Sequence, residues 1–461
     1  GTSYGTKVAL RYAAEYPQNV AGLVLDSTVP PDGPDIFDQS SYAAVPSLLE
    51  QICASNACRS IPNPIGDLEK VLAHLGRGSV PASYYNGKGS LKKITITTED
   101  VAQVLFDGDD DPALRADFPA AVAAAANGRY GLLAILVDHA VIGSAAEFNQ
   151  VDNPLYFATE CEELAFPWNR ADSPTARLTE ALAAAQAMPV GTFGPFSYRT
   201  AVNGSTATAC AYWPFATAAP EPAITSLPDV PTLIISGADD MRTPTSNADL
   251  VKTMIPDATV LVVHEVGLSV LTTEFGSCAQ DAVNAFFAGL TIDTSCSALA
   301  LPAYLKPARA PPSSLARVRV ASGTRGSAGR TAAAIELTLG WTARELSESL
   351  FETLIGSYNP SFNHGLGGVY GGYAKQSTAK GTQAVTVAFH HFSYISGVTI
   401  SGSFVGGVGR LQIAGAKAAS GTIVATKPNY FSGSLGGVHV HFRVAGASTA
   451  ALTAAPRITA R

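Results

Sequence analysis

"GTSYGTKVALRYAAEYPQNVAGLVLDS" occupies residues 1–27. Its opening, Gly1-Thr2-Ser3-Tyr4-Gly5, fits G-x-S-x-G. That pattern makes a sharp turn that lifts a serine hydroxyl out of the backbone. The next N–H, here that of Tyr4, then faces a developing oxyanion. Five residues recur by chance, so context decides the reading. Val8, Leu10, Tyr12 and Ala13 follow at helical spacing, ending before Pro17, and Leu23-Val24-Leu25 is a short apolar run suited to a buried parallel strand. Turn, helix and strand in this order give the pattern its meaning as a nucleophile turn.

A βα pattern returns late in the chain. Residues 231–237 (PTLIISG) and 258–267 (ATVLVVHEVG) predict strands, and 247–255 and 279–290 predict helices. Residues 31–225 between the two patterns read mostly as helices broken by Pro and Gly, as expected of a lid inserted into an α/β sheet. Within Gly237-Ala238-Asp239-Asp240-Met241-Arg242-Thr243-Pro244, Asp240 stands in the loop after a late strand. This is where such a sheet carries the acid that orients a histidine. The order Ser, Asp, His then requires a histidine downstream.

Charge separates the C-terminal region from the rest. From residue 298 onward, 15 Lys and Arg face four acids, for a net +11, while residues 1–297 carry 15 against 33, for a net −18. The expected division is 1–30 and 226–297 as α/β core, 31–225 as helical lid, 298–320 as a Pro/Ala-rich linker, and 321–461 as a basic β-rich domain. In that last part, residues 401–415 and 432–446 read as two copies of one Gly-rich unit, predicting a β-meander or β-solenoid. A basic domain also suits an anionic partner such as cell-wall polymer. No apolar run approaches the roughly 18 to 20 residues of a membrane span. The six cysteines allow 15 pairings. Proximity in sequence favours Cys53–Cys58 and Cys278–Cys296, which leaves Cys161–Cys210, and such pairing points to an oxidising compartment.

Taken together, "GTSYGT…YAAEYP…VAGLVLDS", "FPAAVAAAANG", "CAYWP", "PTLIISGADDMRTP" and "GLSVLTTEFGSCAQDAVNAFFAGL…C" resemble the α/β-hydrolases related to bacterial secreted tripeptidyl aminopeptidases and proline iminopeptidases, with their TAP-like C-terminal region. The resemblance covers residues 1 to about 297. It implies a serine hydrolase acting on peptides from a free N-terminus or on small esters, with Ser3 as nucleophile and Asp240 as orienting acid. It further implies a secreted or cell-envelope location, and it supports the three disulfides. No cofactor, metal or nucleic-acid partner is expected.

Two departures stand out. The family reads G-H-S-V-L after its last strand, with His as general base, whereas this chain reads Gly267-Leu268-Ser269-Val270-Leu271. Loss of that base costs roughly 10⁶-fold in turnover, with roughly 10³-fold over water surviving through the remaining site. His264 lies four residues earlier, roughly 13 Å along a strand. The second departure is that the family's strands before the nucleophile turn are not in the sequence, so the expectation is an N-terminally truncated hydrolase half, without initiator Met or signal peptide. An alternative is a non-catalytic relative that binds peptide or cell-wall polymer. Among weaker signals, Glu160, Glu162 and Glu163 are candidates for holding a substrate ammonium. Asp107, Asp109 and Asp111 start like a calcium loop but lack its Gly and its closing Glu, so helix capping is the expected role. His390, His391, His439 and His441 have no carboxylate or Cys nearby in sequence to complete a metal site.

Overall fold

A computed structural model describes residues 1–33, 35–148, 152–215, 222–224, 226–295, 301–355, 365–378 and 385–444. The chain divides into two compact units. One comprises 1–79, 97–116 and 144–301, the other 80–96, 117–143 and 302–461.

The first unit is built on a parallel sheet. Strand Thr232–Gly237 lies between Leu23–Asp26 and Thr259–Val263. All of its residues are buried, as expected of a parallel strand covered on both faces. Ile234 packs with Leu10 and Ala13 of helix Tyr4–Glu15 and with Val251 of helix Thr245–Met254. Leu233 and Ile235 point the other way, onto Ala279 and Ala282 of helix Cys278–Phe287. Burying each branched side chain contributes roughly 1.5–3 kcal/mol. Thr2 bridges Asp26 in parallel, so the residue before Ser3 runs alongside the first strand. The turn–helix–strand opening and the late βα pattern therefore form as the sequence predicts.

The long insertion is mainly helical, but not throughout. Val80–Tyr85 and Leu91–Ile96 pair as an antiparallel hairpin that groups with the second unit. The expectation of helices across 31–225 overlooked it. The cause is local: Asn86 Oδ1 accepts from the N–H groups of Lys88 and Ser90, and Gly89 takes φ 75°, which together close the turn. Cys53–Cys58 and Cys161–Cys210 are disulfides. The expected Cys278–Cys296 bridge involves Cys296, which lies outside the described residues.

In the second unit, strands Gly365–Gly367, Gly371–Thr378, Val385–Ser393, Thr399–Val405, Val408–Ala414, Gly421–Lys427, Tyr430–Leu435 and Val438–Arg443 form one antiparallel sheet in chain order. It is a meander, not a solenoid. The two Gly-rich repeats are two hairpins. Each turns on a Gly-Gly pair with positive φ, at 56° and 81° for Gly406-Gly407 and at 56° and 77° for Gly436-Gly437. One sheet face, including Phe389, Phe404, Leu411, Ile423 and Val440, packs on helix Gly326–Ile355 through Ile335, Leu339 and small residues such as Ala332 and Ala343. Thr338 and Thr342 are buried there because each hydroxyl donates to a carbonyl four residues earlier. Among the described residues no helix is long and apolar enough to cross a membrane.

Candidate active site

Ser3 has φ 51° and ψ −125°, a conformation that L residues hold only under constraint. The constraint comes from both sides. Ser3 donates its N–H to Asp26 O at 2.9 Å, and Asp26 donates to Gly1 O at 3.0 Å. Gly1 must lack a side chain, because a Cβ there would meet Gly5 O at 2.3 Å. Tyr4 opens the following helix, so its N–H belongs to the electropositive helix end.

The neighbouring loops are laced to this turn. Asp26 accepts from the N–H of Val270 at 3.0 Å and of Leu271 at 3.2 Å, and Ser27 Oγ accepts from Ser269 at 2.8 Å. Asp239 donates to Val266 O at 2.9 Å. Residues 1–5, 26–29, 237–243 and 266–271 thus form one rim at the C-terminal ends of the strands, where open parallel sheets hold their ligands.

Asp240 is 3% exposed. It accepts from Thr243 N at 2.7 Å and Thr243 Oγ1 at 2.6 Å. Burial pushes its carboxyl up to about 6, against the hydrogen bonds from Thr243 and Ser27. Asp109 was expected to cap a helix. Instead, its carboxylate accepts from the N–H groups of Met241 at 2.8 Å and Arg242 at 2.7 Å, holding the loop that carries Asp240. Burial, then the nearby Asp240, keeps Asp109 well above the ordinary carboxylate range. Its main-chain oxygen also accepts from Leu268 N at 3.3 Å. Asp111 does cap, accepting from Ala113 and Leu114. Asp107 pairs with Arg242. The role of Asp109 is not legible in the sequence because its partners lie more than 130 positions away.

Leu268 is 7% exposed. The first unit contains two histidines, His74 and His264, and both are exposed. His264 lies near Asp239. Among the described residues no imidazole hydrogen-bonds Ser3.

A cleft of about 440 Å³ opens beside the turn, lined by Ser3, Tyr4, Asp38, Tyr156, Glu160 and Arg242 among others. Arg242 is engaged by Asp107 at 3.4 Å and Asp110 at 3.2 Å, so the cleft keeps an acidic character. The three glutamates of helix Asn153–Glu163 separate. Glu162 binds Arg170 at 2.8 Å and Trp213 Nε1 at 2.8 Å. Glu163 accepts from the Tyr4 hydroxyl at 2.7 Å and pairs with the buried Lys7 at 2.8 Å. Only Glu160 lines the cleft. Burial raises its carboxyl and Lys7 opposes the rise. Asp38 faces the same space. Burial, then Asp35 and Glu160, push it up to about 7, with Arg242 opposing.

The chain matches none of the curated proteins with which it was compared. Residues 195–296 match the family model described as TAP-like protein. That segment supplies the central and outer parallel strands, Asp240 and Leu268. Over these residues, under half of its length, the chain is similar to the TAP-like family of α/β-hydrolases.

Proposed function

We propose that the chain is a serine hydrolase that takes peptides by a free N-terminus and is impaired by Leu268. Ser3 on the wall of an acidic cleft, at positive φ, is the observation that carries this reading. Ser3 Oγ attacks the scissile carbonyl, and the Tyr4 N–H binds the oxyanion. Asp240 is the acid that would orient an imidazole at position 268. With leucine there, the Ser3 proton has no general base, and turnover rests on the oxyanion donor and on binding. Glu160 receives the substrate's ammonium group. The two disulfides support an oxidising, extracytoplasmic location.

Fluorophosphonate labelling of the protein beside a Leu268→His variant tests this. The expected result is labelling at Ser3 that speeds by roughly 10²-fold or more in the variant, approaching the weight of a lost base. Equal rates in both would show that another group activates Ser3. Comparing free and N-blocked peptides with simple esters then assigns the substrate class. A second reading, a peptide-binding relative without turnover, is favoured by the buried Leu268 and by the Thr243 and Ser27 bonds to Asp240. Absence of labelling in both proteins would select it.

A further inference from the structure

The outer face of the eight-stranded sheet has no assigned role. Residues 365–444 contain no Asp or Glu, and the last acid of the whole chain is Glu352. The strand alternation sends the large apolar side chains such as Phe389, Phe404, Leu411 and Ile423 to the helix, and leaves mostly polar residues, with a few valines such as Val405 and Val408, on the outer face. Strand register then builds a continuous row. His441 pairs with Ser432, Ser432 with Val424, Val424 with Arg410, Arg410 with Ser403, Ser403 with Ala388, and Ala388 with Lys375. A parallel row of Ser434, Thr422, Gln412 and Ser401 runs beside it. Lys375, Arg410, His441 and Arg443 are exposed. Tyr430 is 41% exposed and is flanked by Lys427 at 4.1 Å and Arg443 at 5.1 Å from its ring centre.

This face is about 34 Å across, from eight strands about 4.8 Å apart. Its fixed cations are spread over many strands, not gathered in a pocket. Such spacing suits a long chain with repeated negative charge better than a compact anion. Between the cations lie hydroxyl and amide groups that pair with sugar hydroxyls, and Tyr430 offers a ring face. A second copy of the same surface would be repelled by like charge. Nucleic acid wants a charged groove with several stacking rings, and the disulfides argue against a compartment that holds it. The geometry points to an acidic polysaccharide, bound across the strands of this face, as the occupant. Its role is to hold the hydrolase unit at a polyanionic envelope, and it does not depend on the activity of Ser3.

Affinity electrophoresis of the full chain through gels containing polygalacturonate, neutral dextran or single-stranded DNA is the test. The expected result is retardation by polygalacturonate and not by dextran, relieved by added salt in the parent protein itself. A Lys375→Gln, Arg410→Gln, Arg443→Gln variant should bind polygalacturonate roughly tenfold more weakly, because several exposed ion pairs are lost together. Removing charge elsewhere, with Lys70→Gln and Arg77→Gln, should change nothing. The proposal fails if polygalacturonate does not retard the parent, or if dextran retards it as much. It also fails if DNA is held as tightly at equal salt, or if the triple variant is retarded like the parent. A salt-sensitive dimer abolished by the same substitutions would assign the face to self-association and overturn it.

Discussion

Glu160, Glu162 and Glu163 are near neighbours in sequence, yet their surroundings give them different tasks. Glu163 keeps Lys7, which is 2% exposed, neutralised and ties Tyr4 to the lid helix. Glu163→Ala removes the direct ion-pair partner of that buried ammonium and leaves it only the more distant charge of Glu160, so we expect a loss of about 3 kcal/mol in urea unfolding. Glu160 faces the cleft, and Lys7 acts on it through charge without a direct ion pair. Glu160→Gln should raise KM for free-N-terminus peptides about tenfold and leave N-blocked esters unchanged. Glu162→Gln should do neither, since Glu162 and its partners Arg170 and Trp213 are not among the residues that line the cleft beside Ser3. Asp109 is the residue on which the Asp240 loop depends. Asp109→Ala strands the buried N–H of Met241 and the partly buried N–H of Arg242, and we expect it to cost about 2–4 kcal/mol in the same measurement.

The helix Asn153–Glu163 presents Glu160 and Glu163, and Cys161 between them is bonded to Cys210, 49 positions on. The chain-entropy relation assigns that bridge about 4 kcal/mol, against about 2 kcal/mol for Cys53–Cys58 with its separation of five. Paired Cys→Ala variants should reproduce this order in denaturant midpoints. The Cys161/Cys210 variant should also lose peptide affinity, because it frees the helix that carries Glu160. The long helix Gly326–Ile355 approaches its sheet through alanines. Ala343, fully buried, has no room for a larger side chain, so Ala343→Leu should destabilise the second unit by about 1–3 kcal/mol.

The first unit concentrates buried carboxyls at its rim. Asp26, Asp38, Asp109, Asp239, Asp240 and Glu160 are all raised, each first by burial. A carboxyl raised in the folded state binds its proton more tightly there than in the unfolded chain. The stability it adds is complete below the unfolded value near 4 and is lost as pH rises through the folded value. For Asp240 that window ends at about 6 and for Asp38 at about 7. The net charge of −18 over residues 1–297 acts in the same direction. Calorimetry should therefore show a melting temperature that falls from about pH 5 to about pH 8, and Asp38→Asn should flatten the upper part of that fall. A melting temperature that climbs over this range would contradict the assignment.

Much of the fold was legible because its signals are local. Ser3 in its turn, Leu23-Val24-Leu25, the apolar run of Thr232–Gly237 and the Gly-Gly hairpins each depend on a few adjacent side chains and on backbone freedom at glycine. Asp240 and the substitution at Leu268 were legible through the resemblance, since both sit within ordered motifs. The hairpin at 80–96 carried its own Asn-Gly signal and was outweighed by the helical sequence around it. Sequence separation hid the rest. The grip of Asp109 on the Asp240 loop joins residues far apart in the chain, as do the Lys7–Glu163 pair and the withdrawal of Glu162 onto Arg170 and Trp213. The acid-free outer row of the meander has the same origin. Composition shows that the acids are missing, but only strand register aligns Lys375 and Arg410 on one surface. Local propensity acts over a few residues, whereas long-range contacts are settled by which surfaces pack together, and that packing is a property of the folded chain.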